Sequence, residues 1–78
     1  MTNTVELRKR INSSGLKLKY IADYLGLTPY GLQKKIDNFN EFKASEIWKL
    51  CNLLGITDLE TRDEIFFDQI SDFKSLNL

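Results

Sequence analysis

Tyr30, Gln33 and Lys34 bring a phenol, an amide and an amine together in the stretch "TPYGLQKKI" (28–36). On a helix, residues three and four apart share a face. Groups of these types suit the edges of nucleobases: an amide matches adenine, and an amine matches guanine O6 and N7. Asp37 falls on the same face and would repel phosphate if it met DNA. Catalytic chemistry is harder to find. The chain has no histidine and one cysteine, Cys51, so it offers no transition-metal set and no disulfide. Ser13, Ser14 and Ser45 have no histidine to act as a base. Asp58, Glu60, Asp63 and Glu64 crowd a helix start, where carboxylates suit the dipole. No enzymatic activity, cofactor or metal is expected.

The elements that must position these side chains are short helices. Gly26 closes one helix in the left-handed conformation, Thr28 caps the next, and Pro29 fits its first position. The first of the pair spans about 18–25, with Leu18, Ile21, Ala22 and Leu25 at helical spacing. The second starts at Pro29 and buries Leu32 and Ile36. Ala22 is small where the two helices cross, and Leu27 fills the angle between them. Two helices joined by a short glycine-containing turn form a helix-turn-helix pattern over about 18–37. Taken alone, the spacing fits a helical hairpin with a solvated polar face equally well.

Three more helices complete the chain. "NTVE" (3–6) reads as a capping box opening a helix with Leu7 and Ile11 inward, ended by Ser13-Ser14-Gly15. A fourth helix spans about 44–54, with Ile47, Leu50, Cys51 and Leu54 on one face and Gly55 as its stop. "TDLE" (57–60) reads as a second capping box. Between the third and fourth helices, "DNFNEF" (37–42) reads as a polar turn whose two phenylalanines fold back on the core. No stretch alternates with period two. The fold expected is all-α, a compact bundle of about five short helices. Cys51 falls on an apolar face and reads as a buried structural thiol.

Charge is divided along the chain. Residues 8–43 hold eight basic side chains and three acidic ones, a balance of +5; residues 44–78 hold three and seven, a balance of −4. With Glu6 the total is zero. One half suits a polyanion and the other points away from it. At 78 residues there is room for one small domain. No apolar run approaches a membrane span or a signal-peptide centre, and a single cysteine fits a reducing compartment, so a cytoplasmic location is expected.

The stretch "SGLKLKYIADYLGLTPYGLQKKIDNFNEFKASEIWKLCNLLGI" (14–56) resembles the lambda-repressor-like helix-turn-helix family, the Xre/Cro/CI group of phage and bacterial regulators. "DEIFF" (63–67) resembles the end of that domain in regulators from phages of Gram-positive hosts. The resemblance implies five helices, binding of double-stranded operator DNA as a homodimer, and the third helix in the major groove. It places base contacts at Pro29, Tyr30 and Lys34, with Gln33 on the same exposed face. Phosphate contacts fall on Thr28, Leu18 and Lys19, and in the following loop on Asn38, Asn40 and Lys43; Lys17 is a further phosphate candidate. Two positions depart from the family pattern. Leu18 replaces a frequent glutamine, leaving only its backbone N–H for phosphate, and Lys35 replaces an apolar residue whose anchoring falls to Ile36.

Residues 1–67 therefore read as the DNA-binding domain and 68–78 as a tail for dimerisation. Trp48, Phe67, Ile70 and Phe73 are the interface candidates. The function implied is a Cro- or repressor-type transcriptional regulator. Two alternatives keep the fold. An antirepressor would bind another regulator, and an antitoxin would use the tail for its toxin.

Overall fold

The computed structural model describes residues 1–68, so Ile70 and Phe73 lie outside the described residues. The described residues fold into five helices: α1 Thr4–Ser14, α2 Leu18–Leu25, α3 Pro29–Ile36, α4 Ala44–Leu54 and α5 Leu59–Phe66. Among the described residues there is no strand. Each helix is too short to persist alone, so its stability comes from the face it buries. Leu7, Ile21, Leu32, Ile36, Leu50 and Ile65 are fully enclosed, drawing on all five helices. Burying one such side chain contributes roughly 1.5–3 kcal/mol. Helix α2 packs on α3 and α4, while α1 packs on α3, α4 and α5.

Helix ends follow local chemistry. After α2 and α4 a glycine turns left-handed, and the next N–H reaches back to the last turn: Leu27 to Ala22 O, Ile56 to Cys51 O, each 2.9 Å. Helix α3 ends the same way without glycine. Asn38 takes φ 67°, and Phe39 N–H donates to Lys34 O at 2.9 Å. Asparagine is among the few residues that tolerate this conformation.

Three local expectations need correction. In "NTVE", Asn3 Oδ1 accepts from Glu6 N–H at 3.2 Å, but Asn3 N–H donates to Ile65 O at 2.6 Å. The Glu6 carboxylate has no N–H to return to and instead pairs with Lys9 and Arg10. In "TDLE" the cap is Asp58, one residue later than Thr57, accepting from Thr61 N–H at 2.9 Å. Both types cap helices, but the carboxylate also answers the helix dipole. Of the two loop phenylalanines only Phe42 turns inward, edge-on to Phe66 at 5.6 Å, while Phe39 is 74% exposed.

The first three residues form a strap. Thr2 N–H donates to Asn38 Oδ1, and Asn38 Nδ2 donates to Thr2 O, both at 2.8 Å. Asp68 N–H donates to Met1 O at 2.9 Å. With the Asn3–Ile65 bond, the strap joins the C-terminal ends of α3 and α5.

Candidate nucleic-acid interface

The α2–α3 turn is built as its residues require. Ala22 is fully buried, Leu27 is half-buried, and Gly26 at φ 77° turns the chain. Thr28 Oγ1 accepts from Gly31 N–H at 3.0 Å, capping α3. Gly31 has a reason the sequence did not reveal: a Cβ there would press to 3.1 Å on that capping oxygen. A glycine inside a short helix was the available signal, since it lowers helix propensity.

With Leu32 and Ile36 buried, α3 leaves Pro29, Tyr30 and Gln33 exposed. Lys34 is half-buried, its Nζ 5.3 Å from the centroid of the Tyr30 ring. The phenol thus holds the ammonium along the exposed face by a cation–π contact. Asp37 does not stand bare beside them, because Arg8 donates to its carboxylate at 2.9 Å. Lys35 turns away to Glu46 at 2.5 Å, and Ile36 anchors the helix in its place.

Ion pairing sorts the eight basic residues of the 8–43 stretch. Arg8 pairs with Asp37, Lys9 and Arg10 share Glu6, and Lys35 pairs with Glu46. Lys17, Lys19, Lys34 and Lys43 have no ion-pair partner among the described residues. These four are the lysines named as DNA contacts. Exposed Asp23 and Glu41 are the acids of that stretch without an ion pair among the described residues.

Helix N-termini sort in the same way. Asn3, Thr28 and Asp58 cap α1, α3 and α5 with side-chain acceptors. Helices α2 and α4 begin at Lys17 and Lys43, which carry no acceptor and make no side-chain cap. Among the described residues no side chain caps the first-turn N–H groups of α2, which lie beside two exposed lysines, Lys17 and Lys19. Open N–H groups, a dipole's positive end and ammonium groups together suit an anion such as phosphate. Leu18 packs its side chain on the core, leaving its backbone to serve there. Lysine at a cap position is the sequence signal for this open terminus.

Glu46 organises the junction of α3 and α4. Its Oε1 accepts from Lys35 Nζ and, at 2.8 Å, from Lys43 N–H. Burial pushes its pKa up, but those two hydrogen bonds and the positive charges of Lys35 and Lys43 outweigh burial and hold it below the ordinary glutamate range. Asp58 is likewise lowered, chiefly by the hydroxyl and N–H of Thr61.

The loop candidates divide. Asn38 commits both ends of its amide to Thr2, so its side chain is a structural clamp rather than a free donor. Asn40 is exposed, its N–H donating to Lys34 O at 3.3 Å. Thr28 uses its oxygen as the cap. Trp48 and Phe67 are 66% and 48% exposed and border an α4–α5 groove instead of the α3 face. Cys51 is buried, and burial raises its thiol pKa despite the nearby positive charge of Arg62. Among the described residues no three His, Cys, Asp or Glu side chains converge on a metal-sized site, and no helix is long and apolar enough to cross a membrane.

No protein-family model, curated protein or solved structure matches this chain.

Proposed function

We propose that this chain is a sequence-specific DNA-binding regulator of the lambda-repressor-like kind, a Cro- or repressor-type protein acting on double-stranded operator DNA. The observation that carries the reading is the sorting of charge. Four basic residues of the 8–43 stretch are neutralised within the fold, and the four with no ion-pair partner among the described residues sit at the α2 N-terminus, on α3 and at the α4 N-terminus. In this reading α3 enters the major groove. Lys34, Gln33, Tyr30 and Pro29 meet base edges, while Lys17, Lys19, Lys43 and the open α2 N-terminus meet phosphate. A homodimer would set two such helices about 34 Å apart, on half-sites one turn of DNA apart.

The test is binding to native flanking DNA and to random duplex across a salt series, with mass followed by sedimentation. Tight, salt-sensitive binding of a dimer to one flanking site is expected. Lys34→Ala should then weaken the cognate complex by roughly 1–3 kcal/mol and relax its sequence preference. An equal loss on random DNA would reduce Lys34 to a phosphate contact.

A second reading is favoured by a separate observation. Tyr20, Tyr24, Tyr30 and Phe39 are 53%, 43%, 72% and 74% exposed. Exposed aromatics are typical anchors of protein interfaces. In this antirepressor reading the surface binds another regulator. A folded monomer that binds no duplex at low salt would select it.

A further inference from the structure

Lys34 and Asp37 stand three residues apart on one face at the end of α3, the spacing at which an ammonium and a carboxylate pair on a helix. They do not pair with each other. The Asp37 carboxylate accepts from Arg8 Nη2 at 2.9 Å, from 29 positions away in the chain. The Lys34 ammonium lies over the Tyr30 ring instead, 5.3 Å from its centroid.

Arg8 reaches Asp37 because α1 is fixed against the exit of α3. One turn before Arg8, Thr4 Oγ1 donates to Ile36 O at 2.6 Å. One residue after Asp37, the Asn38 amide holds Thr2 by both its ends. Three consecutive residues, Ile36, Asp37 and Asn38, are thus each tied to the start of the chain. The Arg8 and Asp37 side chains are 42% and 36% exposed, and ion pairs so open to water add little stability. What the pair does change is which cation the Asp37 carboxylate is left to attract.

We propose that Arg8 is a positioning residue for Lys34. By occupying the Asp37 carboxylate from α1, it keeps that carboxylate from drawing the Lys34 ammonium, which stays on the Tyr30 ring and open to an acceptor from outside. Without Arg8 the exposed face of α3 would supply its own counter-ion to Lys34. The effect on DNA rests on the reading of α3 as the DNA-facing helix; the exchange of partners within the free protein does not.

Proton NMR of the full chain reads that exchange directly. In the wild type the Lys34 methylene protons beside the ammonium should lie upfield of ordinary lysine, shifted by the Tyr30 ring. In Arg8→Ala they should return towards the ordinary position as the ammonium leaves for Asp37. Adding Asp37→Asn to Arg8→Ala should restore the upfield shift. Lys9→Ala removes the same charge from the next residue, whose partner is Glu6, and should leave the shift where it was. Helical circular dichroism should be retained throughout, and Arg8→Gln, which keeps part of the side-chain stem, gives the same comparison if Arg8→Ala unfolds. On random duplex the slope of log affinity against log salt should fall by about one in Arg8→Ala, the share of one lysine contact, and recover in the double variant.

Lys34 protons at the ordinary position in the wild type, or unmoved in Arg8→Ala, would overturn the proposal. So would a fall in slope that Asp37→Asn does not restore, because Arg8 would then touch phosphate itself. A wild type that binds no duplex would remove the DNA reading, while the NMR series would still decide whether Arg8 keeps Asp37 from Lys34.

Discussion

Asn38 holds a φ of 67° while both ends of its amide pair with the backbone of Thr2, 36 residues away. These two roles are separable. Asn38→Gly keeps the left-handed backbone and loses the amide; Asn38→Ala loses the amide and strains the backbone as well. Urea unfolding should therefore rank alanine below glycine by about 1 kcal/mol, both below wild type; equal losses would exclude backbone strain. The sequence placed Asn38 in a loop, and the loop was right. Its partner could not be read, because nothing local ties residue 38 to residue 2.

Glu46 gives a second prediction at this scale. Its folded pKa lies below the unfolded value, so it contributes stability that is present above about pH 4.3 and is lost as pH falls through the lowered folded value. Glu46→Gln still accepts from Lys35 and Lys43 N–H but does not titrate. Unfolding free energy measured from neutral pH to pH 2 should show a flatter acid limb for Glu46→Gln than for wild type. An unchanged acid limb would assign acid sensitivity elsewhere, with Asp58, also lowered, the first place to look.

At the scale of the helix, the N-termini carry the informative contrast. Three begin with a side-chain acceptor, and α2 and α4 begin with lysine. Lys17→Asp would supply α2 with the cap it lacks. Folding stability should rise by about 1 kcal/mol, which moves the melting temperature up by roughly 4–8 °C in a domain of this size. DNA affinity should fall, because an anion then occupies the phosphate's place. Opposite signs in melting and binding are the expected result; DNA affinity that stays unchanged or rises would show that the open terminus has no ligand role. Element boundaries were largely legible in the sequence because caps and stops are local. Gly26, Thr28 and Pro29 fixed the turn, and α2, α3 and α4 fall where their spacing put them. Local chemistry does not choose between neighbours with equal claims, such as Thr57 and Asp58. Nor does it fix the direction of Phe39, an apolar side chain in a loop.

At the scale of the whole molecule, a net charge of zero hides an uneven distribution. The sequence showed a basic and an acidic half, but not which charges cancel. Arg8 with Asp37 and Lys35 with Glu46 join residues far apart in the chain, and only folding shows which ammonium groups have no ion-pair partner among the described residues. The α2–turn–α3 unit was legible because its glycine, cap and proline act locally. The groove between α4 and α5 was not, because its walls come from helix faces that the sequence presents separately.

The strap of residues 1–3 also bears on how the molecule opens. Chain ends ordinarily fray, and their amide hydrogens exchange with solvent almost at once. Here the amides of Thr2 and Asn3, at the start of the chain, are donated across the fold to Asn38 and Ile65, and that of Asp68, after α5, is donated to Met1. Thr2 is also buried, 8% exposed. While the strap stays docked, it ties the ends of α3 and α5 to one another. In deuterium, those three hydrogens should therefore leave at the slow rate of the Leu7 and Leu50 amides, tying the first residues of the chain into its last unit to unfold. Rapid loss at Thr2 alone would mean that the strap peels away while the helices stay closed.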